Sequence, residues 1–444
     1  MKPDLCHNRG RMVSKEIQWM VDPFLVLALL AMTCFVLNQW EEAFGVLDPH
    51  FGVVHIEGEN TVMVQDFSNL LHYVRGVLHR VTPNPYRVEE MNEMLKEWTG
   101  GAEGFMPFLS PPTIVLTFGL LSFLPPGIAY VLWMTASAVA AGWTVSACRK
   151  IGGISHGTSL ILGALACLSL TSMMSINLGQ TVFLTNAAFC ALLIFVLKES
   201  PYRTLWWGAV VLMVSLSGKP QVALVAVIFM ASVGQWRCLG VTALATLLFL
   251  LLVTPLFGWT WPLDYVHTMG SYGGEAAPSA IRETIGTTVM TNARAFLVEV
   301  LTMDDRRVVS LSWLLFLGGG GALILAGYLH RNLDARWFFA VSALLYLVFC
   351  PHLNPHEDLL LWPVGVCLIG LLEGGRRWIV VAALVLILTI QLNMDMGVGF
   401  TGVLRPFHHV FWVKLTLLAL LLTYPFLRQR QDTEQETSLA GNLP

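Results

Sequence analysis

The sequence predicts an all-α polytopic membrane protein with about 12 transmembrane helices. Of its 444 residues 55% are hydrophobic and only 12% charged, where soluble domains carry about a quarter charged residues. The apolar residues gather in runs, most of them near the length that crosses a bilayer. Basic residues recur at alternate connections between those runs, as the positive-inside rule requires of a chain threaded back and forth. These observations exclude a soluble enzyme, a secreted disulfide scaffold and a disordered chain. The net charge of -3, without a dense Lys/Arg cluster, gives no footing for a nucleic-acid partner.

Each element follows in order. The amino-terminal segment is basic and leads into an apolar run at 24–40 that ends in Asn38-Gln39-Trp40-Glu41-Glu42 with no small-residue cleavage site, so it reads as an uncleaved signal anchor. A long polar loop, 41–110, comes next. The run Thr113 to Leu124 is bracketed by Pro111-Pro112 and Pro125-Pro126, which predicts a half-helix or a very short span. Further runs lie at 126–147, 157–177, 181–197, 204–218, 221–234, 238–257, 311–329, 337–350, 359–373, 378–393 and 409–427. A second long loop covers 258–310.

Arg149-Lys150, Lys198, Arg203, Arg237, Arg331, Arg336, Arg376-Arg377, Arg428 and Arg430 mark the cytoplasmic connections, with both termini on that side. The two long loops and the short segments around Gly179-Gln180, Lys219 and Pro351 to Asp358 then share the outer face of the plasma (inner) membrane. This reading needs 111–147 to make one net crossing. It gives one transmembrane domain over 1–427 and a polar cytoplasmic tail over 428–444. The eight cysteines fall in or beside apolar runs without CxxC spacing and read as core residues. No repeat of 20–50 residues is visible, and the halves lack matching interrupted helices, which weighs against a transporter.

The chemistry-bearing residues gather on the outer side. In the first loop Phe67, Leu70, Leu71, Val74, Val77 and Leu78 recur at helical spacing, predicting an amphipathic helix on the membrane face. Asp66 stands at its start, as a helix-capping acid or as a carboxylate that takes a proton from an acceptor hydroxyl. Gln180 follows Gly179 between two runs, as a solvated turn residue or a substrate donor. Lys219 precedes Pro220 on the side with few basic residues, and is costly there unless it snorkels or meets an anion. His352, His356, Glu357 and Asp358 open a later span. They lack a zinc pattern and prolines interrupt them, so a polar substrate rim is expected and no metal. Asp304-Asp305-Arg306-Arg307 reads as a solvated interfacial cluster. Arg75, Arg282 and Arg294 are further outer-side cations suited to a phosphate. Gly318 to Gly321 reads as a close helix-packing patch.

Four separated segments together resemble one family: Asp66-Phe67 with Tyr73 and Asn84-Pro85-Tyr86; Pro111-Pro112 with Leu124-Pro125 and Trp133; Gly179-Gln180; and Gly218-Lys219-Pro220-Gln221 with Pro351 through His356 to Asp358. Their order over roughly 60–365 is similar to that of GT-C-fold integral-membrane glycosyltransferases, specifically glycosyltransferase family 87, the polyprenyl-phosphate-mannose-dependent mannosyltransferases. The resemblance implies transfer of a sugar, typically mannose, from a polyprenyl phosphate to a lipid-linked or glycan acceptor, with no nucleotide sugar and no cofactor. It implies Asp66 as the catalytic base, and Gln180, Lys219, His356 and Asp358 as donor-phosphate or substrate ligands, with Tyr73 and Tyr86 in the same pattern. The chain departs from the family at Ser110, where a tyrosine is common, and at Cys350-Pro351-His352, in place of Ser-Pro-aromatic. A flippase or transporter for an amphiphilic substrate is the alternative reading, and a non-catalytic envelope subunit the next.

Overall fold

The computed structural model describes residues 53–55, 62–64, 66–79, 84–98, 110–198 (apart from 168, 170, 173–174 and 177–178), 205–211, 214, 219–271, 290–372, 380 and 410–425. The run at 24–40, the run at 378–393 but for Val380, both terminal segments and Arg282 lie outside them. The described chain is helical except for a small antiparallel hairpin, β1 (Val53–His55) with β2 (Val62–Val64), paired Val53 to Val64. The hydrophobic periodicity of the first loop gave no sign of that hairpin.

Helix α1 (Asp66–Leu78) begins at the expected acid, and α2 (Val88–Trp98) follows. The helix α1 is not laid on a membrane face: Phe67, Leu71, Val74 and Val77 are buried in the core. The run from Thr113 to Leu124 is a chain of short turns, a 3-10 turn Pro112–Ile114, one α-turn Val115–Phe118 and a second 3-10 turn Leu121–Phe123. It is no continuous span. The stretch 111–147 therefore holds one long helix, α3 (Pro126–Gly152), whose 27 residues reach about 40 Å. Pro126 starts it without losing a needed N–H, and Gly153 at φ 59° ends it in the left-handed conformation.

The remaining helices are α4 (His156–Cys167), α5 (Val182–Leu197), α6 (Pro220–Ser232), α7 (Trp236–Phe257), α8 (Trp261–Ser271), α9 (Ala293–Glu299), α10 (Asp305–Leu329), α11 (Ala335–Phe349), α12 (Leu361–Leu371) and α13 (Val410–Pro425). Among the described residues three helices, α3, α7 and α10, are long and apolar enough to cross a membrane, and several shorter apolar ones accompany them. The outer flank of α7 exposes Leu244, Leu247, Leu248, Leu251 and Leu252, as a helix facing lipid tails does.

The bundle is knit by α3 against α5 and α12, and by α11 against α10, α6 and α12. Without a hydrophobic drive between helices in lipid, close backbone approach does this work. At Gly327 an added Cβ would collide with the Ser232 carbonyl, and at Gly320 it would lie 2.7 Å from Ile228. Gly319 and Gly320 thus carry the expected packing role, whereas Gly318 and Gly321 face open space.

Candidate active site

Three helix starts and the start of α1 converge. Gln180 precedes α5, Lys219 is the N-cap of α6 with Pro220 next, and His356 and Glu357 lie on the 3-10 turn Pro355–Leu360 that leads into α12. Asp66 is the first residue of α1. Helix amino-terminal ends carry partial positive charge, so this convergence favours an anion before any side chain is counted.

Asp66 accepts a hydrogen bond from the Gln180 side-chain amide. The two are held together by their neighbours. Phe67 is fully buried, its ring 5.5 Å from Phe118 and 5.3 Å from Tyr130. Gly179 sits at φ 66°, and any side chain there would strike Phe67. The indole of Trp133 donates to the Gly179 carbonyl at 2.9 Å and the Tyr130 hydroxyl to that of Ile176 at 2.8 Å. The glycine is therefore a contact requirement as well as a turn. Withdrawal of the Asp66 carboxyl from water raises its pKa above the usual carboxylate value, and the Lys219 charge and the Gln180 hydrogen bond oppose that rise.

Lys219 Nζ lies 2.8 Å from His356 Nε2 and 2.7 Å from Glu357 Oε1. The other oxygen of Glu357 accepts from the Tyr346 hydroxyl at 2.9 Å and from the Asn354 N–H at 3.3 Å. Burial pushes the His356 pKa well below its ordinary value, and the charges of Lys219 and His352 push the same way. A neutral ring facing an ammonium must accept at Nε2 and carry its proton on Nδ1. His352 is likewise pulled down to about 4 by burial. A small pocket is lined by Gln180, Lys219, His356, Glu357 and Tyr346.

The other expected site residues lie elsewhere. Asp358 turns away from Lys219 to Lys414 on α13, at 2.8 Å, and that lysine also donates to Thr291 at 2.9 Å. The guanidinium of Arg75 donates to the carbonyls of Ser122 and Leu124 at 2.9 and 2.5 Å, stapling α1 to the turns before α3. Tyr73 is buried in the core. The hydroxyl of Tyr86 donates to the Ser110 carbonyl at 2.7 Å, and its ring packs 6.0 Å from Phe257 and 5.2 Å from Tyr265. Asn84 donates to Asp264 at 2.5 Å, so Asn84-Pro85-Tyr86 ties the first loop to α8. Arg294 makes a two-pronged pair with Asp305, both contacts at 2.7 Å. Asp304, Arg306 and Arg307 are exposed, as a solvated cluster should be, while Asp305 is also paired with Arg294 and Asp304 caps α10 through the Arg307 N–H. Among the described residues no group of three His, Cys, Asp or Glu is placed to hold a metal ion.

Two residues take parts that the resemblance did not assign to them. Glu357, which the sequence groups with Asp358, is the one that meets Lys219. Lys414 sits in an apolar run, and an ionisable residue there was the available signal.

The fold and this site define a helical protein with candidate membrane spans and a carboxylate, an amide and a cation gathered at the converging starts of its helices. The sequence profile of glycosyltransferase family 87 matches residues 108–351, more than half of the chain, and the chain belongs to that family. The match takes in Gln180, Lys219 and Tyr346 and stops short of Asp66 and of His356 to Asp358. No curated protein and no solved structure matches the chain.

Proposed function

We propose that this glycosyltransferase moves a sugar, mannose by the family resemblance, from a polyprenyl-phosphate carrier to a lipid-linked or glycan acceptor at the outer face of the plasma membrane. In this reading about 12 spans form one domain over 1–427, with both termini and the tail 428–444 cytoplasmic. The observation that carries it is the Asp66 and Gln180 pair set beside the Lys219 cation, brought together from three separate connections.

The acceptor hydroxyl oxygen attacks the sugar's anomeric carbon, the bond from that carbon to the phosphate oxygen breaks, and the electron pair leaves with the polyprenyl phosphate. Asp66 takes the hydroxyl proton. Its raised pKa brings it nearer the working pH, which favours a general base, and the Gln180 amide fixes one oxygen so that the other is left for the proton. Lys219 and the four helix starts offset charge on the departing phosphate. A phosphate already leaves well, so one base and one cation are a sufficient minimum.

The test is purified protein in nanodiscs with polyprenyl-phosphate mannose and a membrane lipid extract, following release of the carrier phosphate. Asp66→Asn keeps the shape and the Gln180 contact and should slow transfer by roughly 100-fold or more. A folded variant retaining more than about a tenth of the wild-type rate would overturn the base assignment. Movement of the carrier across liposomes with its sugar bond intact, and no cleavage, would overturn the donor. For orientation, labels applied from outside should reach cysteines placed at the exposed loop positions 87 or 259 and miss those at 201 or 334.

A further inference from the structure

Asn186 lies one turn into α5 and lines the same pocket as Gln180, Lys219 and His356. Its Nδ2 donates to the Leu359 carbonyl at 3.0 Å. That bond fixes the amide, because the flipped orientation would set two carbonyl oxygens against each other. The oxygen Oδ1 is therefore the end left over, and it is buried with no hydrogen-bond partner on a residue only 1% exposed. A buried polar atom left in this condition is uncommon and calls for a ligand. His356 Nδ1, on the same lining, is also buried without a partner.

The two atoms differ in kind. Asn186 Oδ1 only accepts, so it turns away a phosphate oxygen and takes an O–H. His356 Nδ1 carries the proton and donates. A hydroxyl can donate to the one atom or accept from the other, and the space of about 20 Å³ beside Val182, Val222 and Leu360 admits a group of that size and not a whole ring.

Resting on the transferase reading above, we infer that Asn186 is a specificity-determining residue whose side-chain oxygen accepts a hydrogen bond from one hydroxyl of the transferred sugar. The sugar joined to a phosphate near Lys219 is the group within reach of this pocket; a hydroxyl of the acceptor would give a different outcome below.

The test compares polyprenyl-phosphate mannose with its 2-, 3-, 4- and 6-deoxy analogues on wild type and on Asn186→Leu, which keeps the branched shape and removes the acceptor. Wild type should lose roughly 10-fold or more in kcat/KM on one deoxy donor. Asn186→Leu should lose a similar factor on the full donor, show no further loss on that one analogue, and keep the other deoxy penalties. Loss of the Leu359 contact alone would instead lower all donors equally and leave every deoxy penalty in place, which overturns the assignment. So does a variant equal to wild type on the full donor, or one whose loss depends on the acceptor and not on the donor series. Asn186→Ala, which also lacks an acceptor, serves where the leucine variant does not insert, with the same expectations. If wild type releases carrier phosphate from none of these donors, the transferase reading falls and takes this assignment with it; release with the full donor but no selective deoxy effect removes this assignment alone.

Discussion

Glu357 and Asp358 are consecutive residues on one 3-10 turn, and each is paired with a lysine from a different helix. The Lys219 and Glu357 side chains are 22% and 5% exposed, and His356 and the pocket adjoin them. Those of Lys414 and Asp358 are 0% and 1% exposed, with Thr291 as the further partner of the lysine. Charge type and pair distance are nearly the same; access differs. A charge that a substrate cannot reach cannot bind it, so Lys414 and Asp358 fasten α13 to the site turn, while Lys219 stays open to the pocket. The sealed pair holds the turn from behind, and the open pair presents its front.

The largest expected effect comes from breaking the sealed pair. Lys414→Met leaves Asp358 charged, buried and without its cation, a loss of about 3–5 kcal/mol for a buried pair. Thermal unfolding in detergent should show a large fall in Tm, and Lys414→Met combined with Asp358→Leu should recover much of it, since replacing both charges is far cheaper than stranding one. A Tm for Lys414→Met equal to that of wild type would remove the distinction between the two pairs.

Next is the open pair. Lys219→Met keeps the apolar stem and deletes the charge. A charge-assisted contact is worth about 1.5–3 kcal/mol, so donor binding or transfer should fall roughly 10- to 100-fold. Glu357 keeps the Tyr346 hydroxyl and the Asn354 N–H, and for that reason Tm should move much less than in Lys414→Met. Unchanged donor titrations in the variant would leave Lys219 only its pairing with Glu357 and His356. Tyr346→Phe is a milder probe of the same side: with one support of Glu357 gone, a fall of a few-fold in transfer is expected, within the range of one hydrogen bond.

What was legible in the sequence divides along the same line. Gln180, Lys219 and His356 stand out because each interrupts or flanks an apolar run, and polar residues at such breaks are visible without coordinates; Asp66 stands out as the acid that opens a helical periodicity. The start of α1 was readable from its 3.6-residue periodicity. Which acid meets which lysine was not readable. On a 3-10 turn neighbours project about 120° apart, so adjacency in sequence sent Glu357 and Asp358 to opposite partners. Lys414 was hidden by averaging: one lysine among the apolar residues of 409–427 hardly alters the composition of the run. The turns between Thr113 and Leu124 look like a span by composition, and only the prolines at both ends hinted otherwise. Arg75 illustrates a further limit, because its carbonyl partners on Ser122 and Leu124 carry no side-chain signature.

The smallest effect concerns the third carboxylate, which has an amide for its hydrogen-bond partner where the other two have lysines. Burial raises the Asp66 pKa in the folded protein above the ordinary value of about 4. The folded state therefore holds the Asp66 proton more tightly than the unfolded chain. The stability this contributes is fully present below about pH 4 and is lost as pH rises through the raised folded value. Asp66→Asn cannot ionise, so its Tm relative to wild type should climb across that interval and level off above it. Catalysis runs in the opposite sense, since a base must be deprotonated: kcat/KM should fall as pH drops through the same raised value. The Lys219 charge lowers that value, so Lys219→Met should move the acid limb of kcat/KM to higher pH as well as lower its plateau. An acid limb that stays in place when the lysine is gone would mean that the open pair and the base do not feel each other, and a Tm difference that shrinks with rising pH would contradict the burial of the carboxyl itself.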